Sequence, residues 1–369
     1  MTDAWARFAK TIYRPKIKPM PPGPLILPYD GVSPSFGSAP LHAGAGAAVL
    51  GRVTLGKNCW LGALSLMRAD GHIVQVGDDF HLGPRSTLHI AHEVFGCTAG
   101  DRVTVGENAC VHACTVGNDV IVGDGVVILD GATVEDNVVL EAGSTVFPGK
   151  RVAGGHVYAG RPAKPLRPLA SNEIAERRAA MQRQHAAGDT TIPPRQSPAR
   201  DSQIDPSVFI ASTATIKGRL RAAPSSSIFF SNDFDAGDSL ISIGAKTNIQ
   251  DNTIIRCRTA QGLSIGRDST IGHNVLLHDC SIGDESLIGI GSHVAAGTIV
   301  GDRVLLAASA RTIPGQVLES GWLYAGSPAR KLSPLDKSKQ EMIAFTIWTY
   351  CQYSQAYKAA ESALLQAAV

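Results

Sequence analysis

The chain has 369 residues, a formal net charge of +2, 44% hydrophobic and 18% charged residues. A charge so near zero removes the global case for nucleic acid or an anionic membrane as a partner. No apolar run approaches the length of a membrane span, and Thr2-Asp3-Ala4-Trp5-Ala6-Arg7 lacks the charged-then-apolar order of a signal segment. The 38 glycines suit a turn-rich β fold. Seven cysteines, an odd number without close C-x-x-C pairs, read as reduced, mostly buried thiols of a cytoplasmic protein.

Residues 1–40 are basic and then proline-rich, through Pro15, Pro19, Pro21, Pro22, Pro24 and Pro28, and are expected to form an extended arm. A first domain is expected over residues 41–185. Within it Val116, Val122, Ile128, Val134 and Leu140 return every six residues. Val105 and Val111 lead in, with one five-residue step from Val111 to Val116. A helix would repeat apolar residues every three to four positions and a strand every two. A sustained period of six predicts short strands and tight turns wound into a parallel β-helix, each aliphatic pointing inward. Prolines after Tyr158-Ala159-Gly160 stop the coil, and Ser171 reads as the N-cap of a helix to about His185. Residues 186–205, with Gly188, Pro193, Pro194 and Pro198, read as a linker.

The ladder returns in residues 206–369 as Ile265, Ile271 and Leu277, then a step of five to Ile282, then Ile288, Val294, Val300 and Leu306. Val111–Val116 corresponds to Leu277–Ile282 at an offset of 166. Val157-Tyr158-Ala159-Gly160-Arg161-Pro162-Ala163 matches Leu323-Tyr324-Ala325-Gly326-Ser327-Pro328-Ala329 at the same offset. Chance would not reproduce both the irregularity and the tail, so the chain is a tandem duplication of one β-helical domain. From Ser333 a helix is expected whose stripe of Met342, Phe345, Trp348, Tyr350, Tyr353 and Tyr357 packs against the coil or a neighbouring chain.

Among 11 histidines, three positions per half stand out by their place on the coil: His89, Glu107 and His112, and their counterparts Arg256, His273 and His278. Here the chain resembles the γ-class carbonic anhydrase family. Asn248-Ile249-Gln250-Asp251, Thr270-Ile271-Gly272-His273, Leu277-His278-Asp279-Cys280 and Trp322-Leu323-Tyr324-Ala325-Gly326-Ser327-Pro328 are similar to its motifs. So are Arg68-Ala69-Asp70 and Thr87-Leu88-His89 in the first half. The resemblance implies left-handed β-helices in a trimeric arrangement, with Zn2+ or Fe2+ between them. It also implies reversible hydration of CO2 to bicarbonate by a metal-bound hydroxide. Of the three ligands, the first and third come from one β-helix and the second from its neighbour.

Carried over, neither half keeps all three ligands, and the losses are complementary. His89 and His112 of one half facing His273 of the other would complete a three-histidine site, while Arg256, His278 and Glu107 would gather at the reciprocal interface as a structural ion pair. A rival assembly stacks a ring of first halves on a ring of second halves, with Glu107 as third ligand. By resemblance Gln250 orients the hydroxide or product; the first half has Gly83 there, and Pro84 where the second half has Asp251. Arg68 and Asp70 match residues near the family's interface and read first as a bridging salt bridge. Two other function classes stand beside this reading: an acyl-CoA-dependent transferase using a lone histidine as base, and a non-catalytic scaffold assembling as a homo-oligomer through flat coil faces and the aromatic tail.

Overall fold

The computed structural model describes residues 24–188 and 196–367. Residues 1–23 of the expected arm and 189–195 of the expected linker lie outside the described residues. The chain forms two left-handed parallel β-helices in tandem, each closed by a C-terminal helix. Each coil lays short strands on three faces in turn. In the first half the first face carries Thr87–His89 and Cys110–His112, the second Cys97–Ala99 and Thr115–Val116, and the third Thr104–Val105 and Val120–Val122. In the second half the first carries Ile254–Arg256 and Leu276–His278, the second Leu263–Ile265 and Ser281–Ile282, and the third Asn248–Ile249 and Thr270–Ile271. Rungs stack in parallel register, as Val111 on Ile128, Val122 on Leu140, Ile271 on Ile288 and Leu277 on Val294. The six-residue ladder is therefore the inward-pointing position of successive faces, and it fills one apolar core per half. Burying such a row stabilises by roughly 25 cal/mol per Å² of apolar surface. The five-residue step is a shortened corner: Ala113 and Asp279, which follow His112 and His278, turn the chain at φ of 49° and 32°. All seven cysteines are free, six of them buried. Among the described residues no helix is long and apolar enough to cross a membrane.

The first coil starts earlier than the prolines suggest. Leu25–Leu27 pairs in parallel with the Ala48–Leu55 strand, and Ser35–Phe36 pairs farther along it. Helix α1 (Glu173–Gly188) starts two residues after Ser171, and the Glu173 carboxylate accepts a hydrogen bond from the Ala170 amide at 3.1 Å. It lies on the third face of the first half, where Leu169, Ile174 and Met181 cover Ile121, Val139 and Val157. Its end is fixed by His185, whose Nδ1 lies 2.8 Å from His81 Nε2, and His81 stacks on Trp60. Helix α2 (Lys337–Ala367) is capped by Asp336, whose Oδ1 accepts from the Lys339 amide at 2.9 Å.

The two halves lie side by side with unlike surfaces in contact, rather than like with like. The first face of the first half meets the corner between the third and first faces of the second. There Asn252 Nδ2 donates to Thr87 Oγ1 at 2.9 Å and Thr145 Oγ1 to Ser309 Oγ at 2.8 Å. Cys110, Val127 and Leu129 pack on Ile290 and Ala308. Helix α2 seals the seam. Ile343 and Ile347 rest on Leu287, Leu305 and Leu323 of the second half. Farther along, Tyr350, Tyr353 and Tyr357 enter a shared core with Leu25, Leu27, Leu50 and Leu66 of the first half and Phe209, Phe229 and Phe230 of the second.

Two expectations follow. Ile128→Ala, at a fully buried rung, should lower unfolding free energy by about 2–5 kcal/mol in urea titrations. Burial, helped by the His185 and His42 imidazoles, pushes His81 down to about 3 from 6.5. The unfolded chain then binds the extra proton first as pH falls. The stability associated with neutral His81 is complete above pH 6.5 and is lost progressively toward pH 3. Denaturation midpoints of His81→Gln should therefore fall less steeply than the parent's below pH 6.5.

Candidate metal centre

Strand alternation turns Leu88 and Val111 into the coil, so His89 and His112 face outward at the ends of strands Thr87–His89 and Cys110–His112. The register pairs them directly, one coil above the other. His273 occupies the corner just after strand Thr270–Ile271 of the second half. The seam between the halves closes on all three, and one ligand nitrogen of each lies within 4.8 Å of the others. The two halves thus supply one group of imidazoles within a single chain.

Each imidazole has an aspartate behind it. His89 Nε2 is 3.1 Å from Asp70 Oδ2 and His112 Nδ1 is 2.6 Å from Asp130 Oδ1. His273 Nδ1 is 3.1 Å from Asp251 Oδ2, off the line of a full hydrogen bond. These partners assign a proton to each contacted nitrogen and leave the opposite nitrogen bare. The bare His89 Nδ1 and His112 Nε2 then face each other at 3.2 Å. Two lone pairs at that distance make no hydrogen bond. A cation between them resolves the contact, and about 3.3 Å is the nitrogen–nitrogen edge expected for tetrahedral zinc with its ~2.0 Å bonds. A proton on His89 is a poor substitute: burial, reinforced by Arg68 and the neighbouring imidazoles, drives that ring well below its ordinary pKa. Burial takes His273 down to about 4 against the pull of Asp251. The donor set, three imidazoles each with a carboxylate against its other nitrogen, fits a divalent transition metal.

The supporting charges are equally buried. Arg68 Nη2 is 2.9 Å from Asp251 Oδ2, and its Nη1 pairs with Asp70. Burial alone would raise Asp251, but Arg68 and His273 outweigh it and hold the carboxyl below its usual range. Burial wins at Asp70, which rises to about 6 despite Arg68. The Tyr357 hydroxyl donates to the other Asp70 oxygen. Arg68 Nη2 also donates to the Tyr350 hydroxyl at 3.1 Å, and that hydroxyl lies 3.2 Å from His273 Nε2. The Tyr350 O–H is thereby aimed at the same nitrogen that would bind an ion.

A cavity of about 1000 Å³ opens over the cluster; His89, His112, Gln250 and Tyr350 are among its walls. The Gln250 amide is nearly buried, and its nearest hydrogen-bond partner, Asn248 Oδ1, is 3.4 Å away. His92 also lines the cavity, with its Nδ1 2.7 Å from the Tyr353 hydroxyl.

The reciprocal set expected from the sequence does not gather. Arg256 Nη2 pairs with Asp233 Oδ2 on its own half at 2.5 Å, while Glu107 faces Gln184 of α1. His278 lies against His293, at 5.3 Å between ring centres. The reason is geometric: two halves can make only one of the two reciprocal contacts. Glu107, the third ligand of the rival assembly, lies outside the group His89, His112 and His273. Sequence reasoning passed over Asp130, Tyr350 and Tyr357 as members of the site. Asp130 was signalled by its position eighteen residues, one coil, below His112. The tyrosines lie on a helix whose landing place no local pattern encodes.

Family comparison finds hexapeptide-repeat matches in both halves. Residues 113–148 match the family described as bacterial transferase hexapeptide (six repeats), and residues 280–309 match the hexapeptide repeat of succinyl-transferase. "Gamma carbonic anhydrase 1, mitochondrial" of Arabidopsis thaliana is 32% identical over 167 residues, covering 43% of this chain and 60% of that protein. "Protein YrdA" of Escherichia coli K12 is 37% identical over 162 residues, covering 42% of this chain and 88% of the relative. A crystal structure of a hexapeptide transferase family protein from Anaplasma phagocytophilum is 33% identical, with a TM-score of 0.41, over 46% of this chain and 98% of that one. The chain spans about three fifths of the length of the Arabidopsis relatives it matches.

Asp130→Asn keeps the shape but removes the charge behind His112. It should weaken zinc retention tenfold to a hundredfold in competition with a chromogenic chelator, the range seen when such outer partners are changed.

Proposed function

The chain belongs to the γ-carbonic-anhydrase-like family of hexapeptide-repeat proteins, and from that membership we propose that it catalyses reversible CO2 hydration at His89, His112 and His273. The observation that carries the proposal is the convergence of three imidazoles, each with an aspartate against it, two of which, His89 and His112, line one cavity. His89, His112 and His273 would hold a divalent ion, Zn2+ or Fe2+, which would supply hydroxide from water at neutral pH as the nucleophile.

The chain's own groups do the rest. Asp70, Asp130 and Asp251 fix the ring orientations and hold the ring proton on the nitrogen they contact, which leaves the opposite nitrogen's lone pair for the ion. Arg68 holds Asp70 and Asp251 in place and acts as a positioning residue. The Gln250 amide and the Tyr350 hydroxyl, both on the cavity wall, offer hydrogen bonds to the oxygens of CO2 and bicarbonate. His92 lies on the same wall, in contact with Tyr353. The ligands come from the two halves of one chain, so the trimeric arrangement expected from the resemblance is not needed to complete the set.

The test is metal stoichiometry by elemental analysis, then stopped-flow CO2 hydration. About one ion per chain and hydration above the buffer rate are expected. His112→Ala should lose both the ion and the activity. Undiminished metal in that variant would sink the site, and a fully loaded protein without hydration would sink the reaction.

A further inference from the structure

The cavity above the cluster is far larger than CO2 requires. Its volume of about 1000 Å³ is at the upper end of the roughly 300–1,000 Å³ range of pockets that enclose a drug-sized organic ligand. Its walls are also of the wrong kind for bicarbonate alone. Val94, Phe147, Met342 and Phe345 all line it while 63%, 38%, 44% and 52% exposed. Helix α2 therefore has two apolar sides. Ile343 and Ile347 are buried against the second half, whereas Met342 and Phe345 are turned to the cavity and left uncovered. Exposed apolar side chains that converge on one opening mark a binding surface more reliably than the same residues scattered singly.

The floor is polar. Gln250, 5% exposed, presents an amide with only a long contact to Asn248, beside His89, His112 and the Tyr350 hydroxyl. The guanidinium on the wall, Arg161, donates its Nε–H to the Gly143 carbonyl at 2.6 Å. A polar floor under an apolar mouth selects a molecule with one polar end and one apolar end.

We propose that this cavity binds acyl compounds of medium chain length, with the carboxyl or carbonyl head on the Gln250–histidine floor and the chain against Val94, Phe147, Met342 and Phe345. The proposal names a second ligand class for the cavity; its head group shares the His89–His112 floor with the proposed metal centre, while the chain-length dependence rests on the apolar walls and is read apart from CO2 hydration.

The experiment is calorimetric titration of the zinc-loaded protein with acetate, butyrate, hexanoate and octanoate. Each methylene taken from water contributes about 0.8 kcal/mol, so affinity should rise about fourfold per methylene until the chain reaches the mouth. The double variant Phe147→Asp, Phe345→Asp alters two partly exposed side chains, and circular dichroism checks that it folds. In it the rise per methylene should fall to less than twofold. Octanoate binding no more than twofold tighter than acetate in the parent overturns the proposal, and so does a full chain-length dependence that survives in the double variant. Metal content measured on the same samples separates either failure from loss of the metal centre.

Discussion

Arg68 joins the two halves. Its guanidinium is fully buried; it bonds Asp70 of its own half and Asp251 of the other, and lies within 5.0–5.5 Å of the Phe229, Tyr350 and Tyr353 ring centres. A planar, permanently charged fork held in this way accepts very few geometries. Taking it from water is expensive, and breaking such a cluster by removing one partner typically costs about 3–5 kcal/mol. Its carboxylates are the ones behind His89 and His273. One cation therefore sets both the docking of the halves and the orientation of two imidazoles from different halves.

The duplication is symmetric in its core and asymmetric in its chemistry. Both ladders carry the same shortened corner, directly after His112 and after His278. Yet Arg256 stands where the first half has His89 and satisfies itself with Asp233 on its own face. That face has a positive charge already paired and gains nothing from an ion. The first half keeps two bare imidazole nitrogens in close opposition and needs a third donor, which only the second half provides.

Helix α2 explains why the composite site is closed over. Its 31 residues reach about 46 Å at 1.5 Å per residue. That is long enough to cover the third face of the second half and still deliver Tyr350, Tyr353 and Tyr357 to the first half. Helix α1, with 16 residues, ends at His185 and Gly188 on its own half. The difference in length puts aromatic hydroxyls over one histidine cluster and leaves Met342 and Phe345 on the open side of the cavity.

The sequence by itself determined the repeating part of this protein. A period of six in Val116–Leu140 and Ile282–Leu306 is a local rule, set by which side chains point into the coil, and it fixes strands, faces and register without knowledge of neighbours. His89, Glu107, His112, Arg256, His273 and His278 stood out by their places in that repeat, whereas the choice of three of them as a ligand set, and the complementary loss at Glu107 and Arg256, were implied by the family resemblance. Asp130 could have been read from the coil length, since stacking is periodic. Other features belong to the tertiary structure alone: that the complementary halves meet within one chain, that Glu107 stays away from Arg256, and that Tyr350 and Tyr357 reach the site. These depend on rigid-body packing between residues more than a hundred positions apart. Shape, buried charge and the reach of α2 decide such contacts, and no repeat along the chain encodes them.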